Sequence, residues 1–414
     1  MEIAKYSIGT GDRFGLQGKA QLAAVQKAKD RGVDLAIVWN KSHREHLIVG
    51  TSPQAVRHEA DEAVNTTGWN GQFFVDADHI GLGNVDLFLE SSDFFTLDVA
   101  DFIGKKADDR SLADFLEKHG QFIGDLKIPG IAHPLSISRE LLQTIAEKYL
   151  HAVQEAAKIY RYIKKNKNNG DFITEVSMDE TVDPQSPTEM LIILAAIADE
   201  KIPAQTIAPK FSGRFNKGVD YIGDVSRFRQ EFEEHLCIIH YAVKTFGLAA
   251  NLKLSVHSGS DKFSIYRPIR ELIDKYDAGI HVKTAGTTWL EELIGLAEAG
   301  GEGLEIAKQI YASSHARFDE LCSPYFSVID IDRDALPTPA EVRSWSSEHY
   351  VNALRHDQSC PDYNVNLRQL LHVGYKVAAE LGETYLDALW VNREVVSKNV
   401  TENLFDRHIV PLFI

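Results

Sequence analysis

A histidine stands at residue 257, where an apolar run meets a turn of small residues. The run KLSVH (253–257) is typical of a buried strand, and the turn SGSD (258–261) leads into the helical pattern KFSIYRPIRELIDKY (262–276). An imidazole at such a position can bind a metal ion or transfer a proton. By itself it indicates neither function, because a single histidine at a strand end more often makes a structural hydrogen bond.

Two further histidines follow a similar arrangement, and this repetition favours a metal site. Asp78 and His79 end the run FFVDADH (73–79), and His281 lies in GIHVKT (279–284). Imidazole and carboxylate side chains together suit a hard or borderline divalent cation. We therefore predict a divalent metal cation as cofactor, and zinc, manganese, nickel and iron all accept these ligand types.

Basic side chains near the same strand ends suit an anionic ligand. Lys210 lies at the end of TIAPKF (206–211), and Arg214 and Lys217 follow that run. Lysine and arginine at these positions suit a carboxylate group. The SGSD turn adds hydroxyl and backbone N–H groups that bind sugar hydroxyls or small anions well, although Ser-Gly turns are common.

Strand-like and helical runs alternate along most of the chain, and this order predicts parallel β-α units. Ligands of such proteins bind at the carboxyl ends of the strands, where the residues described above fall. An open doubly wound sheet is the alternative fold, but no G-x-G-x-x-G pattern follows the first strand. Eight runs predict an α/β fold of the TIM type, a closed (β/α)8 barrel; they lie at 6–14, 34–39, 73–79, 94–100, 171–177, 206–211, 253–257 and 279–284.

The last part of the chain has a different pattern. Residues 335–414 contain helical runs with no strand-like run between them. We therefore predict a catalytic β/α barrel over residues 1–334 and a C-terminal helical extension, 335–414, packed on the barrel. A further helical pattern covers 287–300, where Glu291 and Glu292 are expected to face solvent.

The composition limits the classes of function. The chain has 414 residues and a formal net charge of −16, which disfavours nucleic acid as a partner because phosphate binding needs a basic surface. It has three cysteines without a C-x-x-C pair, no signal-peptide pattern and no apolar run long enough to cross a bilayer. We therefore expect a cytoplasmic protein that acts on a small molecule and has no membrane partner. The sequence is compatible with a monomer and with a homo-oligomer.

Four stretches of the sequence, taken together, resemble one family of enzymes. They are FFVDADHIG from residue 73, APKFSGRFNKGVDYIGD from 208, LSVHSGSDKFSIY from 254 and HVKTAGTTWLEELIGLAEAG from 281. In combination they are similar to the tagaturonate epimerase family, whose members interconvert D-tagaturonate and D-fructuronate in hexuronate catabolism. The resemblance implies an isomerase, a metal-dependent sugar-processing barrel and a sugar acid as substrate.

The Asp-His pair and the later His-Ser-Gly-Ser turn also resemble class II aldolases, which place an Asp-His run and a His-Gly-Gly-Ser turn around zinc. This likeness implies a mechanism. The two keto acids differ at a carbon one bond beyond the α-carbon, and the proton there is not acidic because its carbanion cannot delocalise into the carbonyl. A retro-aldol step avoids this difficulty: the adjacent C–C bond breaks, a divalent cation stabilises the enediolate half, and the aldehyde half rotates before the bond re-forms.

The resemblance also implies roles for individual residues. His79 and His257 are the expected metal ligands. His281 is a candidate for the third ligand, with Glu175 or water as alternatives, because the predicted sixth strand lacks the ligand histidine of class II aldolases. Asp78 is the expected general base and Glu175 the partner acid. The expected substrate contacts are Lys210 and Arg214 for the carboxylate or a hydroxyl, and Ser258, Ser260, Asp261 and Lys262 for the sugar chain.

Two other functions fit the same pattern. A class II metal-dependent aldolase, a lyase acting on a ketose or keto-sugar acid, would release its aldehyde instead of recapturing it. A sugar-binding barrel without catalytic activity is the second alternative. The convergence of titratable groups on the strand ends argues against it, because such clusters lower stability and are rarely kept without chemistry.

Overall fold

The computed structural model describes residues 1–168, 170–284 and 286–414, and its centre is a closed barrel of eight parallel strands. The predicted α/β barrel of the TIM type is therefore confirmed. An additional antiparallel pair, β5 (Gly124–Leu126) and β6 (Leu135–Ile137), lies outside the barrel. The barrel strands, in the order in which they pair around it, are β1 (Tyr6–Thr10), β2 (Leu35–Ser42), β3 (Phe73–Ile80), β4 (Phe94–Asp98), β7 (Ile173–Ser177), β8 (Thr206–Ala208), β9 (Lys253–His257) and β10 (Ile280–Lys283).

Helices surround the barrel and make up the whole C-terminal part of the described chain. The α-helices are α1 (Gly18–Asp30), α2 (His43–Val49), α3 (Pro53–Thr67), α4 (Asp109–His119), α5 (Arg139–Asn166), α6 (Pro187–Asp199), α7 (Val225–Phe246), α8 (Phe263–Lys275), α9 (Thr287–Ala299), α10 (Gly301–Ala316), α11 (Phe318–Cys322), α12 (Pro339–Arg343), α13 (Ser347–Leu354), α14 (Val365–Val373), α15 (Tyr375–Leu381), α16 (Glu383–Val391), α17 (Arg393–Glu402) and α18 (Val410–Phe413). A π-helical segment, Asn403–Ile409, joins the last two. Within the described ranges, no helix has the length and apolar character needed to cross a membrane.

Helix α6 illustrates how local sequence and packing together form the outer layer. The Ser186 hydroxyl caps its N-terminus and the Glu189 carboxylate completes a capping box, while Pro187 begins the helix. Such caps satisfy backbone N–H groups that would otherwise lack partners. All residues from 190 to 197 are buried, because α6 packs between α5 and α7 and its apolar side chains belong to the main core.

The interior of the barrel has an apolar lower part and a polar upper part. Alternate residues of each strand point inward, so one strand contributes to both parts. The lower part is a small separate core made of Ile3, Ala36, Val38, Phe74, Phe94 and Ile173. Two positions further along their strands lie Asn40, Asp76, Thr96 and Glu175, all buried. Charged groups therefore collect at the carboxyl ends of the strands.

The C-terminal segment, which comprises α17, the π-helical segment and α18 (residues 393–414), completes the outer layer of the barrel. Helix α17 packs on α9 and α1, the π-helical segment packs on α1, and α18 packs on α8. The segment therefore lies between α8 and α1, and its apolar side chains, including Leu404, Phe405, Ile409, Leu412 and Phe413, join the main core. A second apolar core lies among helices α9 to α17.

The expectation that Glu291 and Glu292 face solvent is wrong. Both are buried, with 2% and 1% of their surface exposed. The C-terminal helices cover the face of α9 on which they lie. Tyr385 on α16 donates a hydrogen bond to Glu292 (3.1 Å), and the Asn403 side chain donates one to Glu291 (3.0 Å).

Candidate active site

Three side chains converge at the carboxyl ends of β3, β7 and β9. His79 is the last residue but one of β3, Asp179 follows β7 and His257 ends β9. Each offers one nitrogen or oxygen atom, and these three atoms lie within 4.8 Å of one another. Two imidazoles and one carboxylate are a donor set that divalent cations of the zinc, manganese, nickel or iron type accept.

An irregularity in β3 allows two consecutive residues to face this group. Successive residues of a regular strand point to opposite faces. The register between β3 and β4 shifts between Ala77 and Ile80, and His79 has a φ of 53°. This left-handed conformation costs a residue other than glycine of order 1–3 kcal/mol. In return, Asp78 and His79 both lie at the mouth of the barrel, where a regular strand would present only one of them.

The two histidines are oriented so that one nitrogen of each is available to a cation. His79 Nδ1 lies 2.9 Å from Asp78 Oδ1, and His257 Nε2 lies 2.7 Å from Glu175 Oε1. The other nitrogens, His79 Nε2 and His257 Nδ1, lie 3.5 and 3.1 Å from the Asp179 oxygens. Neither of these two buried atoms makes a hydrogen bond with a described residue. Carboxylate–histidine pairs of this kind commonly orient metal ligands, so the residues fit a divalent cation.

Lys283 on β10 lies beneath this group and contacts three carboxylates. Its Nζ atom is 2.7 Å from Asp76 Oδ2, 2.9 Å from Asp78 Oδ1 and 3.1 Å from Glu175 Oε1. It also donates a hydrogen bond to Thr96 Oγ1 at 2.6 Å. Since these groups are buried, this ammonium is the nearest compensation for their negative charge.

The pKa values of the site follow from these contacts. Burial alone would raise the pKa of Asp78 and of Glu175, but the Lys283 ammonium and the neighbouring histidines outweigh burial and hold both pKa values well below the usual range. Burial lowers the pKa of His257, whereas the Asp179 and Glu175 carboxylates raise it, with a net pKa of about 9. A cation bound at His257 Nδ1 would take the place of a proton there.

His281 lies outside the group of three. Its ring packs against Phe94, with 5.3 Å between centroids, and its Nδ1 atom is 2.9 Å from the Ser7 hydroxyl. It points into the barrel two residues before Lys283, one layer below the mouth. Burial lowers its pKa to about 3, so the imidazole is neutral.

The turn after β9 makes its contacts with the protein itself. Ser258 Oγ donates a hydrogen bond to the Lys283 carbonyl (2.6 Å), and Ser260 Oγ accepts one from the Gly218 backbone (2.9 Å). The Lys262 ammonium is fully buried and donates hydrogen bonds to the carbonyls of Asn216 and Val219. Ser260 and Lys262 therefore hold the turn against the loop that follows β8, whereas Ser258 holds it to the end of β10.

Asp261 joins the same turn to the C-terminal helices. Its carboxylate is fully buried and contacts Arg368 Nη2 at 2.7 Å, His356 Nδ1 at 2.9 Å and His408 Nε2 at 3.0 Å. The Thr287 hydroxyl donates a fourth contact at 3.2 Å. Burial raises the pKa of Asp261, but Arg368 and the two histidines outweigh it and hold the pKa well below its usual value.

The two basic residues expected to bind the substrate carboxylate differ in their surroundings. Arg214 is exposed and pairs with Asp330, with 3.0 Å between Nη1 and Oδ2. Lys210 is half-buried, and its ammonium makes no ion pair within the described residues, while its backbone N–H donates to the Gln185 side chain (2.7 Å). Of the two side chains, Lys210 is therefore the more available to bind an anionic ligand.

Three residues of the site received no role from the sequence. Asp179 lies two residues beyond β7, Lys283 is the last residue of β10, and Asp98 is the last residue of β4. Their signal was the position at a strand end, but position alone did not distinguish them from several other polar residues there. Asp98 is half-buried, and burial raises its pKa although nearby His79 opposes this.

Comparison with known proteins agrees with this geometry. The family described as UxaE, tagaturonate epimerase, matches residues 1–388 of the chain. This chain belongs to the tagaturonate epimerase family. The resemblance found in the four sequence stretches is therefore confirmed, and with it the prediction of an epimerase.

Relatives of this member of the tagaturonate epimerase family extend over nearly its whole length. A protein of Thermotoga maritima described as tagaturonate/fructuronate epimerase is 27% identical over an alignment of 419 residues, gaps included, which covers 97% of this chain and 80% of the relative. Crystal structures of the fructuronate-tagaturonate epimerase of Cohnella laeviribosi have the same fold. A one-glycerol complex has a TM-score of 0.81 at 23% identity and the native form 0.78 at 24%, each covering 100% of this chain and 82% of the other.

Proposed function

We propose that this tagaturonate epimerase family member interconverts D-tagaturonate and D-fructuronate with a divalent cation held by His79, Asp179 and His257. The observation that carries the proposal is the convergence of two imidazole nitrogens on one carboxylate at the barrel mouth, where neither nitrogen has a hydrogen-bond partner among the described residues. Barrels of this architecture bind their substrates at that end. Asp179 replaces His281 as the third ligand in this proposal, because His281 lies a layer lower and bonds Ser7.

Bond cleavage and re-formation explain inversion at a carbon whose proton is not acidic. A bound divalent cation supplies a Lewis acid that stabilises the negative charge on the ketone half of the cleaved sugar. A carboxylate of the protein removes the proton from the hydroxyl of the inverting carbon and returns it after the aldehyde half has rotated. The mouth of the barrel must keep both halves together, since loss of the aldehyde would make the enzyme a lyase.

Asp78 is our candidate for the general base. Its Oδ1 atom is shared by His79 and Lys283, whereas Oδ2 makes no hydrogen bond within the described ranges. That oxygen can therefore accept a proton from the substrate. Asp98, with its raised pKa, is the second candidate for proton transfer. Glu175 is fully buried beneath the cation site, and we assign it the orientation of His257 instead of contact with the substrate.

Substrate contacts remain part of the proposal. Lys210 holds the sugar carboxylate, because its ammonium is half-buried and free of acidic partners in the described chain. Arg214 is a weaker candidate, since its guanidinium is already paired with the Asp330 carboxylate. The residues of the turn at 258–262 contribute by fixing the conformation of the chain next to His257. The free cysteines of the structure fit the proposed cytoplasmic location.

The test is the conversion of D-tagaturonate by the purified protein, with and without a chelator. We expect D-fructuronate to form with the metal-loaded protein, to stop forming after chelation, and to return on addition of zinc or manganese. Isotopically labelled substrate distinguishes the lyase alternative, because an aldolase would release free three-carbon products and an epimerase would not. A metal-loaded protein that leaves D-tagaturonate unchanged would overturn the proposal.

A further inference from the structure

Lys283 has more acidic neighbours than any other basic side chain of the candidate active site, and the neighbouring strand leaves space for its side chain. Its ammonium lies within 3.1 Å of oxygens from Asp76, Asp78 and Glu175. The side chain passes over Gly9 on the neighbouring strand, where a Cβ atom would lie 2.9 Å from Lys283 Cγ. Any residue other than glycine at position 9 would therefore push the lysine away from the carboxylates.

Two of these three carboxylates also bind the histidines of the cation site. Asp78 Oδ1 is 2.9 Å from His79 Nδ1 and 2.9 Å from Lys283 Nζ. Glu175 Oε1 is 2.7 Å from His257 Nε2 and 3.1 Å from the same ammonium. One lysine thus contacts the oxygen that orients each histidine, whereas the third carboxylate, Asp76, makes no hydrogen bond to a histidine among the described residues.

We propose that Lys283 is a positioning residue for the cation site, which aligns both ligand histidines through Asp78 and Glu175. This inference rests on the proposed function, because it assumes that His79 and His257 hold the cation. With the ammonium in place, the oxygens of both carboxylates are held where they accept the N–H protons of His79 Nδ1 and His257 Nε2. The opposite nitrogens then present their lone pairs toward Asp179.

The physical need for such a residue comes from the positions of the carboxylates. Asp76, Asp78 and Glu175 all lie within 3.1 Å of the one ammonium, and without it their oxygens would repel one another. The oxygens of Asp78 and Glu175 would then leave the places from which they orient the two histidines. A direct covalent role does not fit Lys283, since an ammonium held by three carboxylates is a poor nucleophile.

Charge-neutralising variants around the lysine test the proposal. The dissociation constant for Zn²⁺ is measured on metal-free protein by competition with a chromophoric chelator, and the melting temperature of each metal-free variant is measured in parallel. Asp78→Asn and Glu175→Gln each replace the carboxylate that faces a histidine by a neutral amide, a weaker acceptor without charge, and we expect 10–100-fold weaker zinc binding. The matched control Asp76→Asn removes the same charge next to Lys283 but no histidine contact, and we expect less than a threefold change.

The decisive variant is the double substitution Lys283→Met with Asp76→Asn. It removes one positive and one negative charge, so the cluster keeps its net charge and folding is protected even where Lys283→Met alone fails to fold. We expect at least tenfold weaker zinc binding, because Asp78 and Glu175 have lost their common partner. A lysine that served only charge balance would give a double variant with wild-type zinc affinity, and this result would overturn the inference while leaving the cation site intact. Wild-type protein that binds no zinc, manganese, nickel or iron would overturn the cation site itself.

Discussion

At the scale of single residues, His257 and His281 show how two similar sequence signals lead to different surroundings. Both end or nearly end neighbouring strands, and both are enclosed by the barrel. His257 presents Nδ1 to the mouth, with Glu175 fixing the other nitrogen. His281 comes two residues before Lys283 on β10, so it lies one layer deeper in the barrel, and its Nδ1 atom pairs with the Ser7 hydroxyl. Depth along the strand, which the sequence shows only approximately, separates the proposed ligand His257 from the structural His281.

The first prediction follows from this difference. His257→Ala removes Nδ1 from the cation site, and we expect metal content to fall below about a tenth of the wild-type value, with loss of epimerase activity. His281→Ala is the matched control, because it removes another imidazole enclosed by the barrel, one layer lower. It should retain its metal, while the loss of the ring's contacts with Ser7 and Phe94 lowers stability by about 2–5 kcal/mol. Elemental analysis of the two purified variants checks this, and equal metal loading would contradict the ligand role of His257.

Sequence reasoning found part of this site and missed the rest for a physical reason. It selected His79, His257 and the adjacent Asp78, because imidazoles and carboxylates at strand ends are unusual enough to be noticed. It gave no role to Asp179, which lies in a loop whose path depends on packing between distant parts of the chain. The role of Lys283 depends on its distance to three carboxylates on other strands, and one strand's sequence cannot give such a distance.

At the scale of elements, all eight barrel strands were predicted, and their ends differ by a few residues. The run 253–257 coincides with β9, whereas 206–211 is longer than β8, which ends at Ala208. Alternation of strands with helices gives a strong periodic signal, so the existence of elements is easier to predict than their limits. The β5–β6 pair was missed because each strand has three residues, too few for a period of two to be recognised.

Helix α9 carries a prediction about pH. Burial raises the pKa of Glu291 to about 7, with Arg368 opposing and Asp261 reinforcing the shift. In the unfolded chain a glutamate has a pKa of about 4.3. Between these two values the folded protein keeps a proton that the unfolded chain has lost, so the free energy of unfolding decreases as pH rises through this window.

Glu291→Gln keeps the oxygen that accepts from Asn403 and removes the titration. We expect the variant to gain stability over the wild type as pH increases from 5 to 8, reaching up to about 3 kcal/mol. Urea unfolding at both pH values measures the difference. A difference that stays constant from pH 5 to pH 8 would show that Glu291 does not keep its proton in the folded state.

At the scale of the whole molecule, the C-terminal segment is part of the barrel's outer layer as well as an extension of it. The predicted boundary at residue 335 stays a prediction, although the helices without intervening strands already begin with α9 at Thr287 in the described structure. Sequence patterns indicated that these helices pack on the barrel. They could not show that the chain returns to the gap between α8 and α1, because this depends on the path of all the helices before it.

This placement gives the last prediction, which concerns Ile409 in the π-helical segment. Its side chain is fully buried in the main core, between the barrel and the C-terminus. Ile409→Ala leaves a cavity there, and we expect the free energy of unfolding to fall by about 2–5 kcal/mol. Trp390→Ala is the control, since this larger apolar side chain on α16 is 63% exposed and its loss should cost less than about 0.5 kcal/mol. Urea unfolding of the metal-free variants measures both. If Ile409→Ala unfolds at the same urea concentration as the wild type, the C-terminal segment does not close the barrel's outer layer. Unchanged zinc affinity in that variant would fit a segment that stabilises the barrel away from the proposed cation site.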